Sequence, residues 1–199
     1  MDWSVLLKLF DDYGVPGFHK NFIFYYLKDR TVSYVNDALK TDKEYCKGCP
    51  QGSVIDPTIW NFCPNSVLSL EGQNIYLQAF ADDQALVIWD RTRRLLENNT
   101  NSFLIILSEN LITLELGLSP EKCQALTYRD FSSYGPGKAT VLERPAILHI
   151  NNKTIKKTTS IKYLGIHIDA RLNWTIHIQN LHSRAMISTK NFNQVIKNN

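Results

Sequence analysis

Residues 75–89 read IYLQAFADDQALVIW, and in this stretch two apolar runs of strand length flank the adjacent pair Asp82 and Asp83. The pattern predicts a β-hairpin with an acidic tip. Two neighbouring carboxylates repel each other, and the apolar run that follows them carries no cation to offset the repulsion. A divalent ion would offset it, because Mg²⁺ favours one or two carboxylate oxygens together with water and substrate phosphates. For the dipeptide alone, a solvated turn is the simpler interpretation.

The predicted order along the chain is helices, a hairpin, a helix, the acidic hairpin, a helix, small strands and a last helix, which indicates the α+β fold class. A helix is expected to begin at Asp56, whose side chain would cap it, with Pro57 at its first position. The dipeptide Asn151-Asn152 tolerates positive φ and is expected to form a hairpin turn, and Asn173 is expected to cap a final helix. The same patterns predict helices over 3–13, 16–28, 56–70 and 91–116, the last interrupted near 98–101. Strands are expected over 31–35, 124–128 and 161–168, and residues 45–49 are expected to pair with the first of them. Residues 131–137 are expected to form a loop.

The composition is that of an ordinary globular protein with one domain, or with one domain and part of a second. The chain has 199 residues, of which 44% are hydrophobic and 21% are charged. These values exclude collagen-like, low-complexity and wholly disordered chains. No signal-peptide pattern and no apolar run of about 18 residues occur, and four cysteines are too few for a disulfide scaffold. We therefore expect an intracellular protein of the cytoplasm or nucleus that does not enter a membrane.

The basic residues concentrate near the end of the chain. From Asn151 onward, eight Lys and Arg residues face a single acid, Asp169. Such an asymmetry is typical of proteins that bind a polyanion such as nucleic acid, although a solvated basic surface gives the same pattern.

A second motif lies 29 residues upstream of Asp82, where residues 48–61 read GCPQGSVIDPTIWN. Together with residues 77–87, LQAFADDQALV, it resembles the palm of a reverse transcriptase from a non-LTR (LINE-type, jockey-like) retrotransposon. Three further pieces follow in the family's order. The segment after the family's palm helix is resembled by residues 118–122, LSPEK. The family's primer-grip hairpin is resembled by residues 163–169, YLGIHID, and the start of its thumb by residues 172–178, LNWTIHI.

The resemblance implies a fold and an activity. The fold would be α+β, with a palm-type antiparallel sheet, packed helices, largely missing fingers and a partial helical thumb. Residues 1–170 would form a reverse transcriptase domain truncated at its N-terminus, and residues 171–199 would begin the thumb helix. The activity would be RNA-directed DNA polymerisation, a two-metal nucleotidyl transfer onto a primer 3′-hydroxyl. The partners would be an RNA template, a DNA primer and deoxynucleoside triphosphates.

The resemblance also implies roles for individual residues. Asp82 and Asp83 would be catalytic and would hold Mg²⁺ or Mn²⁺; because adjacent strand residues point to opposite faces, one of them would be primary and the other supporting. Phe80 stands where the family more often has Tyr, and Lys122 would face the pyrophosphate unless it is an ordinary solvated lysine. The nucleotide and template contacts would be Pro50, Gln51, Gly52, Ser53, Phe80 and Lys122, and the primer grip would be Tyr163, Leu164 and Gly165.

The chain also departs from the family's pattern. A two-metal site needs a third carboxylate from an earlier palm strand, and Asp2, Asp11 and Asp12 belong to a helical pattern instead. We therefore expect a fragment that lacks the N-terminal fingers and palm segment of its parent polyprotein and does not polymerise alone. The alternative is a non-catalytic, nucleic-acid-binding remnant of a transposable element. Asp56 replaces a small hydroxyl residue usual in the family, and as a helix cap it would preserve the geometry.

Two weaker patterns remain. Cys46 and Cys49 have the spacing of half a zinc site, and His177 and His182 resemble the other half. The distance between the two halves in sequence argues against a small zinc finger. The aromatic residues of the first 34 positions would suit base stacking, but their spacing is more simply that of a helix core.

Overall fold

The computed structural model describes residues 2–36, 39–50, 52–128 and 146–197, with the backbone alone for residues 193–197. These ranges contain five helices and ten short strands, and this mixture agrees with the expected α+β class. The helices are α1 (Trp3–Asp12), α2 (Gly17–Leu27), α3 (Asp56–Leu68), α4 (Arg93–Thr113) and α5 (Thr175–Lys197). The strands are β1 (Thr31–Asn36), β2 (Leu39–Glu44), β3 (Ile75–Phe80), β4 (Asp83–Ile88), β5 (Gln124–Ala125), β6 (His149–Ile150), β7 (Lys153–Thr154), β8 (Lys156–Lys157), β9 (Ser160–Tyr163) and β10 (Ile166–Asp169).

The strands pair two by two within the described ranges. β1 with β2, β3 with β4, β6 with β7 and β9 with β10 are antiparallel, and β5 with β8 is parallel. The chain divides into two compact units, Met1–Asp90 with Ser102–Leu118, and Arg91–Asn101 with Ser119–Asn199. Among the described residues, no helix has both the length and the apolar character needed to cross a membrane.

The core of the first unit is built on helix α1. Leu6, Leu9 and Phe10 recur at helical spacing and are buried, and α1 packs against α2 and α3. Asp2 caps the helix, because its carboxylate accepts from the backbone N–H of Ser4 at 2.9 Å. The other buried apolar side chains of this unit are Ile23, Leu27, Ile59, Cys63, Pro64, Val67, Leu77, Phe103, Leu104, Leu107, Leu111 and Leu114.

The second unit has a smaller core of short hairpins, with Ile150 and Ile155 buried. Asn151 and Asn152 both have positive φ in the turn between β6 and β7, as their sequence predicted. The prediction that Asn173 caps the last helix is also confirmed, because its side-chain oxygen accepts from the backbone N–H of Thr175 at 3.1 Å.

The partner of the first strand was predicted wrongly. β1 pairs with β2 over Leu39–Glu44 rather than with residues 45–49, and only the N–H of Tyr45 extends the pairing, to the carbonyl of Arg30 at 2.8 Å. Every described residue of both strands is exposed. The alternation of Thr31–Asn36 revealed β1 although no face of it is buried, whereas LKTDKE in β2 has no apolar alternation that could reveal the strand.

Two details of the helices also differ from expectation. Helix α4 continues through 98–101 without interruption. Thr100 is buried there, and the Asn101 side chain bonds outward to the carbonyl of Ile147 at 3.1 Å and the N–H of His149 at 2.9 Å. These contacts satisfy the polar side chain, which would otherwise compete with the helix backbone. The predicted strand at 124–128 is reduced to the two residues of β5, and the predicted loop at 131–137 lies outside the described residues.

The predicted third strand at 161–168 is a hairpin. β9 and β10 pair antiparallel, and the turn between them is Leu164-Gly165. Both turn residues have positive φ, +48° for Leu164 and +84° for Gly165. Glycine adopts that conformation readily and leucine does not. The apolar run therefore predicted one continuous strand, because Gly165 is the main residue in it that indicates a turn.

Candidate active site

The acidic hairpin, β3 and β4 with the turn between them, holds the two aspartates in different settings. Phe80 pairs with Asp83 as the last cross-strand pair, so the turn is only Ala81-Asp82. Ala81 has φ +53°, in the left-handed region that non-glycine residues seldom occupy. Its carbonyl accepts a hydrogen bond at 2.9 Å from the indole N–H of Trp60 in α3. Helix α3 thereby fixes the turn that carries Asp82.

The two faces of the acidic hairpin differ sharply in burial. Cross-strand partners share a face, and the face that carries the pair Leu77 and Leu86 is the more buried one, with Leu77 only 3% exposed. The opposite face carries Phe80, which is 62% exposed, beside Asp83. Asp82, in the turn, is also exposed. Both carboxylates are therefore open to solvent at one end of a hairpin that its other face anchors.

Neither carboxylate of the acidic hairpin has a cationic partner within the part of the chain that the structure describes. Acids elsewhere in the described ranges do pair, among them Asp11 with Lys20 and Glu115 with Lys47. Nor do three His, Cys, Asp or Glu side chains of the described residues gather closely enough to hold a metal ion. The acidic hairpin thus offers two adjacent oxygen donors, which suits a divalent ion that keeps water or substrate oxygens in its remaining positions.

The Gly48–Ser53 loop is held at its first residue by the N-terminal helix. The indole N–H of Trp3 donates to the carbonyl of Gly48 at 2.8 Å, and the Trp3 ring meets the Tyr45 ring edge-on. Gly48 has φ +79°, and a Cβ at this position would lie 2.9 Å from the Tyr45 hydroxyl oxygen. The close approach and the backbone angle both require glycine here.

The same loop is held at its last residue by α2. The Tyr26 hydroxyl donates to Oγ of Ser53 at 2.6 Å, and that Oγ accepts from the N–H of Ile55 at 3.3 Å. The Arg30 guanidinium lies 4.2 Å from the centre of the Tyr26 ring and donates through Nε to the Tyr26 carbonyl at 2.8 Å. Sequence reasoning missed this role of Tyr26, because its helical spacing marked it only as a core residue.

The middle of the loop is open. Gly52 is exposed with φ +90°, and a Cβ there would meet no atom within 4 Å. Pro50 accepts from the N–H of Ser53 at 3.2 Å through its carbonyl. Gln51 lies outside the described residues. The loop therefore has an accessible centre between two fixed ends.

The expected capping role of Asp56 is wrong. Asp56 is the first residue of α3, the N-cap is Ile55, and no side-chain capping bond forms. Asp56 lies instead beside Cys49: burial first, and then the hydrogen bond and charge of the Asp56 carboxylate, raise the pKa of the Cys49 thiol to about 12. Among the described residues, Cys46 and Cys49 belong to no group of three His, Cys, Asp or Glu side chains that could hold a metal ion, so the structure gives the zinc interpretation no support.

The remaining predicted residues belong to the second unit. Lys122 is exposed in the turn after α4, where its N–H donates to the carbonyl of Ser119 at 3.0 Å. Tyr163 pairs with Ile166 at the end of the β9–β10 hairpin, and its buried hydroxyl has no hydrogen-bond partner within the described residues. Leu164 and Gly165 form the turn of that hairpin. These residues are thus gathered in a different unit from Asp82, Asp83 and the loop.

Comparison with known proteins decides the family. The family model described as reverse transcriptase (RNA-dependent DNA polymerase) matches residues 2–168 of this chain. The chain belongs to the reverse transcriptase family. The match includes Asp82, Asp83, the Gly48–Ser53 loop, Lys122 and the turn Leu164-Gly165, so every predicted site residue lies within the part that defines the family.

The relatives are proteins of mobile elements. A Retrovirus-related Pol polyprotein from type-1 retrotransposable element R1 of Bradysia coprophila is 27% identical over 162 residues, covering 81% of this chain and 15% of the relative. The RNA-directed DNA polymerase from mobile element jockey of Drosophila melanogaster is 23% identical over 163 residues, covering 78% and 17%. The Probable RNA-directed DNA polymerase from transposon X-element of the same fly is 23% identical over 188 residues, covering 92% and 19%.

The chain spans less than a fifth of the length of each of these three relatives. No solved structure matches it. The relatives therefore support the assignment to non-LTR retrotransposons. They are much longer proteins than this reverse transcriptase segment.

Proposed function

We propose that this reverse transcriptase segment carries two of the carboxylates that serve nucleotidyl transfer onto a primer 3′-hydroxyl, copied from an RNA template. The observation that carries the proposal is the acidic hairpin itself. Asp82 and Asp83 are adjacent and exposed, and neither forms an ion pair in the described part of the chain. Like charges held together without a counter-ion favour a cation from outside the chain.

The donor chemistry of the acidic hairpin fits Mg²⁺ or Mn²⁺. Both carboxylates supply hard oxygen ligands, and two such ligands leave room for water and for the phosphate oxygens of a nucleotide. When bound there, the ions would activate the primer hydroxyl and offset charge on the transferred phosphoryl group. Asp82, held by the turn that Trp60 anchors, and Asp83, at the start of β4, would position those oxygens.

The Gly48–Ser53 loop is proposed to hold the template and the incoming nucleotide. Its accessible centre at Gly52 lets a strand or a base approach the backbone closely. Its fixed ends, at Gly48 and Ser53, would limit the entropy lost when the ligand binds. Pro50, Gln51 and Phe80 complete this proposed nucleotide and template surface.

The second unit is proposed to hold the primer. Lys122 would face the pyrophosphate, and Tyr163, Leu164 and Gly165 would form the primer grip. In this interpretation residues 1–170 correspond to the palm portion of the polymerase and residues 171–199 begin its thumb. The excess of basic residues after Asn151 supports contact with template and primer phosphates.

Two carboxylates are fewer than a two-metal polymerase site uses, and no group of three metal ligands forms in the described ranges. We therefore propose that the missing carboxylate belongs to the parent polyprotein and that the 199-residue chain alone does not extend a primer. The second candidate function, a nucleic-acid-binding remnant without catalysis, is favoured by this same two-carboxylate arrangement.

Primer extension on an RNA template with Mg²⁺ or Mn²⁺ tests the proposal. In the parent polyprotein, Asp82→Asn and Asp83→Asn should each lower extension by about 100-fold or more, because a metal ligand contributes several kcal/mol in the transition state. Asp12→Asn, an exposed acid at the end of α1, is the matched control and should leave extension unchanged.

Three results would each contradict part of the proposal. If both hairpin variants keep wild-type extension, the acidic hairpin is a solvated turn. If the wild-type polyprotein binds template and primer but never extends them, the remnant interpretation holds. Extension by the 199-residue chain itself, dependent on Asp82, would show that no further carboxylate is needed.

A further inference from the structure

The first two turns of helix α5 carry its contacts with the β9–β10 hairpin. Helix α5 packs against β10, and of its described side chains only Ile176, His177 and Asn180 are partly buried. Every described side chain of the helix from Leu181 onward is exposed. The position of the helix against the hairpin therefore depends on a few residues near its start.

His177 joins the helix to the hairpin through a hydrogen bond. Its Nδ1 lies 3.4 Å from the backbone nitrogen of His167, whose N–H points to it. A backbone N–H can only donate, so Nδ1 is the acceptor, and the ring is neutral with its proton on Nε2. Within the described residues, no other hydrogen bond joins α5 to either strand of the hairpin. Asn180 bonds instead to the carbonyl of Ile176 in its own helix, at 2.9 Å.

The ring of His177 lies beside two permanent cations. It lines a cavity of about 180 Å³, the basic pocket, together with Lys162, His167 and Arg184, and no residue of the lining is acidic. Lys162 and His167 are a cross-strand pair, so they share a face of the hairpin. His177 and Arg184 are two helical turns apart on one side of α5. A proton on His177 would therefore add positive charge next to Lys162 and Arg184.

The nearby elements supply little negative charge to offset such a proton. Asp169 is the one acid of β9 and β10, and the sequence of α5 contains none. Asp169 shares the hairpin face of Lys162, but it does not line the basic pocket. It is only 6% exposed, and its Oδ1 accepts from the N–H of Arg171 at 2.9 Å. This carboxylate is therefore directed into the turn that follows β10.

We propose that His177 is a pH-sensitive latch, whose neutral ring holds α5 against the β9–β10 hairpin and whose protonation releases the helix. The added proton goes to Nδ1, which then becomes a donor facing the N–H of His167. The same proton places a positive charge beside Lys162 and Arg184. Because histidine ordinarily titrates near neutral pH, the helix is held at higher pH and is released as the pH falls.

The latch goes beyond the proposed function. In that proposal α5 begins the thumb and the hairpin carries the primer grip, so release of the helix would change the position of the thumb. The tests use the 199-residue chain without metal or nucleic acid. Their outcome is therefore independent of whether Asp82 and Asp83 support primer extension.

Amide hydrogen exchange of the wild-type chain at about pH 8 and about pH 5.5, on either side of the ordinary histidine range, tests the latch. The quantity compared is the protection factor, the intrinsic exchange rate divided by the observed rate, which removes the direct effect of pH on exchange. Protection of residues 175–181 and of the His167 amide should fall about five- to tenfold at the lower pH, the loss expected for one hydrogen bond.

The amides of α1, in the first unit, should keep their protection at both pH values. An equal loss in α1 and α5 would overturn the proposal, because the chain would then unfold as a whole. Unchanged protection of residues 175–181 would also overturn it, since the helix would stay in place when the histidines are protonated.

His177→Asn is the decisive variant. The asparagine side-chain oxygen is as many bonds from the backbone as Nδ1 and can accept from the His167 N–H, but the amide does not titrate. Protection of α5 should therefore be the same at both pH values. The matched controls are His182→Gln, on the exposed part of the same helix, and His167→Gln, which keeps the backbone donor. Both should respond to pH as the wild type does.

Two results with these variants would contradict the latch. If His177→Asn responds to pH as the wild type does, another group titrates. If either control loses the response, the titrating group is His182 or His167.

The tautomer of His177 gives a test that needs no substitution. Nitrogen–proton correlation NMR of the imidazole rings assigns the proton of each neutral histidine to Nδ1 or Nε2. At about pH 8, where histidine is ordinarily neutral, His177 should carry its proton on Nε2. A proton on Nδ1 would overturn the proposal, because the ring could not accept from His167.

Discussion

The acidic hairpin and the β9–β10 hairpin use the same backbone arrangement to present opposite charges. Each is a two-stranded antiparallel sheet with a two-residue turn, and each turn begins with a non-glycine residue at positive φ, Ala81 in one and Leu164 in the other. Within the described residues, Asp82 and Asp83 of the first hairpin form no salt bridge, and Lys162 of the second forms none although Asp169 lies on the same hairpin face. The divalent ion proposed for the acidic hairpin would offset the charge of Asp82 and Asp83.

The hairpins differ in the burial of their apolar side chains. Leu77 of the acidic hairpin is 3% exposed, and α3 also bonds the Ala81 carbonyl through Trp60. In the β9–β10 hairpin, the pair Ile161 and Ile168 is only partly buried. The burial of Leu77 and the Trp60 hydrogen bond would suit the proposed role of Asp82 and Asp83, because a site that holds an ion needs supporting contacts that fix its geometry.

Truncation of the buried face gives the largest expected difference between the hairpins. Leu77→Ala should lower the free energy of unfolding by about 2–4 kcal/mol, because it leaves a cavity in the core. Ile161→Ala should cost only about 1 kcal/mol, since its side chain is partly exposed already. Urea unfolding measures both, with Val87→Ala on the exposed face as a control near zero. Equal losses for Leu77 and Ile161 would show that the hairpins are anchored alike.

A substitution in the turn of the β9–β10 hairpin gives the second largest expected loss of stability. Gly165→Ala should destabilise the chain by about 1–2 kcal/mol, because a Cβ disfavours the left-handed conformation that φ +84° requires. No atom lies within 4 Å of that Cβ, so the cost is backbone strain without a clash. Gly72→Ala is the matched control, since its Cβ also meets no atom and its φ is not positive. A neutral Gly165→Ala would mean that the turn relaxes to another type.

The hydrogen bond from Trp60 to the Ala81 carbonyl should contribute less to the free energy of unfolding than Leu77 or Gly165 does. Trp60→Phe keeps an aromatic side chain, smaller than indole, and removes the N–H that donates to the Ala81 carbonyl. The lost hydrogen bond should cost about 1 kcal/mol or less. We expect Mn²⁺ affinity, measured by titration of the chain, to fall severalfold because the turn that carries Asp82 loses its anchor. Trp89→Phe, at the end of β4, should change neither quantity. Unchanged Mn²⁺ affinity in Trp60→Phe would show that the Trp60 hydrogen bond does not influence metal binding at Asp82.

Sequence reasoning succeeded where one pattern had one physical cause. The apolar runs around Asp82 alternate in burial as a half-buried hairpin should, and Asn151-Asn152 and Asn173 were predicted from the conformations that asparagine favours. It failed at β2, whose sequence LKTDKE has no apolar alternation, and every described residue of both β1 and β2 is exposed. It also placed the cap of α3 one residue late, at Asp56 instead of Ile55, because a helix can begin without a side-chain cap.

The sites were less predictable than the elements because they depend on tertiary contacts. Tyr26 meets Ser53 only after α2 has packed near the loop, and no local spacing relates the two. The basic pocket joins Lys162 to Arg184, which the sequence places on a strand and on a helix without indicating that they face one cavity. The acids at 82 and 83 could be found because they are neighbours in the sequence.

The smallest expected effect concerns the strained residue of each turn. Ala81→Gly and Leu164→Gly each remove a left-handed non-glycine residue, a gain of about 1–2 kcal/mol, while the greater freedom of the unfolded chain costs about 0.4–1 kcal/mol. Both variants should therefore be more stable by a few tenths of a kcal/mol to about 1 kcal/mol in urea unfolding. The two variants should differ in their Mn²⁺ affinity, measured by titration. Ala81→Gly loosens the turn that carries Asp82 and should weaken Mn²⁺ binding, whereas Leu164→Gly should not, and equal Mn²⁺ affinity in the two variants would contradict a role for the Ala81 backbone in positioning Asp82.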